Sequence, residues 1–236
     1  MAMHTTVLGS NYEGLTIAVG LAQKGHAVTT VDPNPGRARQ ILRGRAIGDD
    51  TELLTQFGVV LREGNLRFTT KPETSLTEAD IVVLASIPGY ENEGIADRAA
   101  ILRTAEGLTG TMGSFKVVLV AAKVPVGSCR LLQEWIDDSM YGSTVSVVAF
   151  PTLFSRPGAL GEFLQPERIV LGSDNDGSRH LLDELFSGFV VENTSLCLVS
   201  WESAEMLKTS SGALASSVPP PVSVPRNSPP IPQRTR

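Results

Sequence analysis

The chain has 236 residues, 42% of them hydrophobic and 19% charged, with a formal net charge of −5. That length suits one domain or a domain with a fragment. No apolar run approaches the roughly 20 residues of a membrane span, and no basic block offers a nucleic acid the clustered Lys and Arg its phosphates require.

Cys129 and Cys197 make no disulfide framework, and with His4, His26 and His180 they make no metal-ligand spacing. The start, MAMHTTVLGS, has no basic segment followed by an apolar stretch, so the expected address is the cytoplasm, with both thiols reduced. The three histidines read as surface or edge residues.

Along the chain, short β-branched runs alternate with segments of helical length and spacing. Strands are predicted at residues 5–8, 27–31, 66–69, 81–85, 116–120, 145–148 and 168–171. Runs such as IVVLA and KVVLVAA are continuously apolar, as in parallel strands covered on both faces. Helices are predicted at 13–24, 36–43, 96–107, 128–138 and 178–186. The alternation implies a doubly wound α/β domain with a parallel sheet and helices on both faces. A short C-terminal helix should run from 201 to about 214, with Ser200 as its N-cap. The final twenty residues then hold seven of the fifteen prolines. Proline lacks the donor N–H, so this tail is expected to be disordered or locally polyproline II.

The stretch VLGSNYEGLTIAVGLAQKGHAVTTVD, residues 7–32, reads strand, glycine turn, amphipathic helix, second strand, acid. It follows the Gly-x-Gly-x-x-Gly turn of Rossmann-type domains. There the three glycines serve the tight turn, close approach of backbone to a pyrophosphate, and packing of helix on strand. Gly9 and Gly14 hold the first and third places, and Asn11 holds the second. Asparagine tolerates left-handed backbone better than other residues with side chains. The turn is therefore expected to survive, with crowding at the pyrophosphate weakening binding rather than abolishing it. The helix N-terminus favours an anion. Asp32, 18 residues past Gly14, is placed to accept from a ribose 2′-hydroxyl and to repel a 2′-phosphate, favouring NAD over NADP. The alternative is a Rossmann-type domain with an empty crevice.

Six segments in series carry a resemblance. They are the stretch just quoted, LREGNLRFTT, EADIVVLA, KVPVGS, FLQPERIVLGSD and SAEMLK. In order and near-spacing they resemble the N-terminal NAD-binding domain of the UDP-glucose/GDP-mannose dehydrogenase family, over roughly residues 5–214. The resemblance implies an NAD domain, a long central helix, and a second α/β domain that binds UDP and supplies a nucleophilic cysteine. It also implies a reaction: oxidation of a nucleotide sugar's C6 alcohol to a carboxylate through a thiohemiacetal. Carried over by position, it marks Gly9, Asn11, Tyr12, Gly14, Asp32, Arg37, Ser86 and Pro125 as cofactor-binding. Arg37 either braces the adenosine ribose, where the family often has lysine, or is simply exposed. Lys208 matches the lysine that stabilises an anionic intermediate; the bland alternative is a solvated helix lysine.

The departures from the family pattern are as informative. Its water-positioning threonine falls on Lys123, its glutamate on Thr152, and the asparagine before that glutamate on Phe150. Its Val-Gly-Thr-Pro turn reads SIPG at residues 86–89, and the asparagine one helical turn past the lysine is Gly212. Threonine has no carboxylate to accept a proton. Cys129, at a helix start where a dipole could lower its pKa, reads as a buried helix cysteine, and Cys197 as core strand.

The expected organisation is a Rossmann-type domain over 1–200, the start of the family's central helix over 201–216, and a proline-rich tail over 217–236. The expected function is residual NAD binding or an interaction role without catalysis by the chain alone. Its partners would be a second copy or a full-length relative, with a nucleotide sugar bound only where a partner completes the site. Two alternatives stay open: an active NAD-dependent nucleotide-sugar dehydrogenase working with another chain, and part of a longer gene product. A hydroxyacid dehydrogenase would share the glycine turn but leave VPVGS and PERIVLG unexplained.

Overall fold

A computed structural model describes residues 2–44, 50–87, 97–110, 117–140, 145–152, 154, 158–174, 178–190 and 194–209. The strands are β1 (His4–Leu8), β2 (Ala27–Val31), β3 (Leu66–Thr69), β4 (Ile81–Leu84), β5 (Val117–Val120), β6 (Ser146–Ala149), β7 (Arg168–Gly172) and β8 (Ser195–Val199). They form one sheet in the order β3-β2-β1-β4-β5-β6-β7-β8. Every pairing from β3 to β6 is parallel. The chain runs outward from β1 to β3 and then returns to the other side of β1, so the topological switch point lies between β1 and β4.

The helices are α1 (Tyr12–Gln23), α2 (Pro35–Leu42), α3 (Thr51–Glu63), α4 (Pro72–Glu78), α5 (Arg98–Thr109), α6 (Ser128–Ser139), α7 (Ala159–Leu164), α8 (Arg179–Leu185) and α9 (Trp201–Thr209). Local chemistry sets their ends. Asn11, Asn34, Asp50 and Asp97 accept from first-turn N–H groups of α1, α2, α3 and α5. Gly64 closes α3 in the left-handed conformation.

Because side chains alternate along a strand, each buried strand feeds two cores. Ile81, Val83, Val117 and Leu119 face a core completed by Leu15, Ile17, Phe57, Phe163 and Phe186. Val82, Leu84, Val118 and Val120 face the other, completed by Ile101, Cys129, Ile136 and Trp201. Each such side chain contributes about 1.5–3 kcal/mol relative to exposure. Among the described residues no helix is long and apolar enough to cross a membrane.

The doubly wound α/β expectation holds, with corrections. The sheet is not parallel throughout. β7 meets β6 antiparallel through the single pair Ala149–Gly172, and β8 runs parallel to β7. β8 lies at one edge of the sheet, with β3 at the other, and Cys197 on β8 is buried as expected. Helices α3, α4 and α7 were not predicted. His26 is buried, not a surface residue: its ring accepts from the Met3 N–H at 3.3 Å and donates to the Leu185 carbonyl at 3.1 Å. Burial lowers its pKa, against a smaller opposing contribution from the Leu185 carbonyl. The predicted cap of the last helix is present, since the Ser203 N–H donates to Ser200 Oγ at 3.3 Å. Gly89, Gly212 and the tail at 217–236 lie outside the described residues.

Candidate functional site

Strands β1, β2, β4, β5 and β6 run the same way, so the segments that leave their carboxyl ends share one edge of the sheet. Gly9 follows β1, Asp32 follows β2, Ser86 follows β4, Lys123 and Pro125 follow β5, and Thr152 follows β6. Open α/β sheets bind ligands at this edge, at the switch point.

Gly9 has φ +112°, a conformation that favours glycine, and a Cβ added there would overlap Ser86 Oγ. A Cβ on Gly14 would overlap the Gly9 carbonyl oxygen. The first and third glycines are therefore required by the close packing of the two turns at the switch point. Asn11 departs from expectation. Its backbone is extended, with φ −68° and ψ 172°, so no left-handed tolerance is called on. Its side chain instead lies along the turn: Oδ1 accepts from the Gly14 N–H at 2.8 Å and Nδ2 donates to the Ala85 carbonyl at 3.0 Å. The amide that threatened the pyrophosphate is used as the cap of α1.

Asp32 is 6% exposed. Oδ2 accepts a short hydrogen bond from Ser10 Oγ and lies 3.4 Å from Arg37 Nε, while Oδ1 accepts from the Asn34 N–H at 2.9 Å. Arg37 thus braces Asp32 directly. A carboxylate has about four lone-pair sites, so these three partners leave room for one more donor such as a ribose hydroxyl. Tyr12 turns its hydroxyl to Asp50, donating at 2.6 Å. Asp50 caps α3 and also accepts from the N–H groups of Leu53 at 2.9 Å and Gly158 at 3.4 Å. Burial pushes the Asp50 pKa upward, but these donors together outweigh it and leave the carboxyl below its ordinary value.

At the β6 end, α9 runs back toward the same edge. Trp201 Nε1 donates to the Val147 carbonyl at 2.8 Å. One turn on, Glu205, 2% exposed, accepts from the N–H groups of Gly127 at 2.6 Å and Cys129 at 2.7 Å. Its carboxylate therefore occupies the N-terminus of α6, beside Pro125 and Ser128. Burial, and then the Glu205 charge, push the Cys129 thiol well up, the opposite of an activated nucleophile.

Lys208 is not a solvated helix lysine; its side chain is 14% exposed. Its ammonium donates a short bond to Glu13 Oε1, and further bonds to the Thr152 carbonyl at 2.7 Å and Thr152 Oγ1 at 2.8 Å. Burial draws its pKa below the ordinary lysine value, the Glu13 carboxylate opposes this, and the nearby Lys123 charge adds to it. A cavity of about 540 Å³ shares Thr152 and is walled by Phe150, Phe154, Phe163, Phe186 and Phe189.

Gly9, Asn11, Gly14 and Ser86 are thus brought into contact at the switch point. Asp32 and Arg37 lie on one side of it, with Pro125 and Lys208 toward the other. Sequence reasoning missed Ser10, Glu13 and Glu205. A charged residue inside the glycine turn was the available signal for Glu13. Glu205 bonds to groups 76 and 78 residues away, which no local pattern announces.

The sequence profile of the UDP-glucose/GDP-mannose dehydrogenase family's NAD-binding domain matches residues 3–190. The chain belongs to that family. It carries the family's NAD-binding domain. The glycine turn, the α1 N-terminus and Asp32 lie at the switch-point edge, where an open α/β sheet has room for such a ligand. The UDP-glucose 6-dehydrogenase of Rhizobium meliloti is 27% identical over 89% of this chain and 49% of that protein. An uncharacterised protein of Methanocaldococcus jannaschii is 28% identical over 89% of this chain and 24% of that protein. Among solved structures, a UDP-glucose dehydrogenase from Pyrobaculum islandicum superposes with TM-score 0.73 at 24% identity, covering 88% of this chain and 48% of that one. A GDP-mannose dehydrogenase from Pseudomonas aeruginosa gives 0.76 at 19%, covering 91% and 50%. The chain spans about half the length, or less, of these family relatives.

Proposed function

We propose that this chain is an NAD-binding unit of a nucleotide-sugar dehydrogenase that does not complete the oxidation alone. When bound, NAD supplies a hydride acceptor. This chain's residues bind and orient it, through Asp32 at the adenosine side and the α1 N-terminus at the pyrophosphate. The observation that carries the reading is the environment of Lys208. The family's carboxylate position is Thr152, which presents only a carbonyl and a hydroxyl, and both are spent on the ammonium. Losing a general base commonly costs about 10²–10⁴-fold in rate. Cys129, buried and with a raised pKa, is no substitute nucleophile.

The second reading is an active dehydrogenase in which another chain, or a longer product of the same gene, completes the site. It draws on the roughly half-length match to relatives named as dehydrogenases. One assay separates the two. Purified chain mixed with NAD and UDP-glucose, and separately GDP-mannose, should give no growth of NADH absorbance. Turnover by the chain alone would overturn the first reading, and turnover on adding a full-length relative whose own NAD-binding domain has been inactivated would favour the second.

A further inference from the structure

Glu13 places a carboxylate on the first turn of α1, the turn that also presents its N-terminus to a cofactor's pyrophosphate. A carboxylate on that turn opposes an anionic ligand unless its charge is cancelled locally. Lys208, 195 residues away, supplies an opposing charge: its Nζ bonds Glu13 Oε1 and is anchored on its other side by Thr152. The side chains are 14% and 18% exposed for Lys208 and Glu13, so solvent screens the pair only in part.

We infer that Lys208 is a positioning residue for dinucleotide binding, acting through Glu13 by holding its carboxylate neutralised and drawn toward Thr152, away from the anion site. The ammonium's three donors are all engaged by Glu13 and Thr152, so its effect on the cofactor is exerted through the carboxylate it restrains. α9 carries Glu205 as well as Lys208, one on the α6 N-terminus and the other on the α1 turn. The same helix thereby governs the charge at two helix N-termini on the binding edge.

This inference rests on the NAD-binding reading, and its test separates the two. NAD is titrated calorimetrically into the full chain and the variants Lys208→Met, Glu13→Gln and Glu13→Gln/Lys208→Met, with thermal melts to verify folding. Lys208→Met removes the ammonium that Glu13 bonds and should weaken NAD binding about tenfold, less so as salt is raised from about 0.05 to 0.5 M. Glu13→Gln should bind as well as the parent or better. The double variant should return to within about threefold of the parent, although it still lacks the lysine. A Lys208→Met variant that binds like the parent, or a double variant as weak as Lys208→Met, would overturn the inference and leave NAD binding standing. Absence of NAD binding in all four proteins would remove the cofactor reading and this inference together.

Discussion

Asn11 Oδ1 accepts the N–H of Gly14 at 2.8 Å, so the residue that breaks the glycine pattern also caps the helix the pattern builds. A side chain usually excluded here for its bulk is accommodated because one end of its amide bonds within the turn and the other bonds the Ala85 carbonyl just past β4. Asn11→Ala should lose about 1 kcal/mol for the cap and a similar amount for the bond to the Ala85 carbonyl. Asn11→Gly should lose less at the cap, by a few tenths of a kcal/mol. Urea unfolding of the three proteins measures the difference, and equal midpoints would contradict the capping role.

Glu205 is a buried carboxylate whose counterparts are backbone N–H groups. Hydrogen bonds to charged groups contribute about 1.5–3 kcal/mol each, and Glu205→Ala leaves two donors unmet, so a loss of about 3 kcal/mol or more is expected. Glu205→Gln keeps an acceptor oxygen and should fall between. In the parent protein Cys129 should resist thiol reagents under native conditions, because burial and then the Glu205 charge hold it protonated. Rapid labelling of Cys129 in the folded parent would contradict this placement.

Much of the fold was legible because it rests on local pattern. IVVL in β4 and VVLV in β5 are buried at every position, as continuous apolar runs imply. α3 carried its own signals, with Asp50 as cap, Leu53, Phe57 and Val60 on one face and Gly64 at its end, and could have been read. α7 could not: six residues long, with no side-chain cap, it exists because Phe163 packs against Gly20 of α1. The reversal of β7 also left no trace, since a strand buried on both faces looks alike in either direction. At the site, Gly9, Gly14 and Asp32 were legible from spacing. Ser10 and Glu205 were not, because their partners are set by tertiary approach; Glu13 showed only as a charge inside the glycine turn, with its partner Lys208 hidden for the same reason. His26 misled for the same reason: its two ring nitrogens are satisfied by backbone groups 23 and 159 residues away.

His26 makes stability depend on pH in a definite direction. Its folded pKa is lowered, chiefly by burial, so the unfolded chain binds a proton more readily. Above about pH 6.5, the ordinary histidine value, both states are neutral and no penalty arises. As pH falls below that value toward the folded pKa, protonation favours the unfolded state and stability drops. Urea midpoints measured from about pH 8 to 5 should fall more steeply for the parent than for His26→Gln. Parallel curves would contradict a neutral buried imidazole.

The most direct test is calorimetric titration of NAD into the purified chain and into Asp32→Ala. A scaffold that still holds the cofactor predicts saturable binding by the parent and about tenfold or greater weakening in Asp32→Ala, as expected when the acceptor for the ribose hydroxyls is removed. No saturable binding by the parent, or binding indifferent to Asp32, would contradict it.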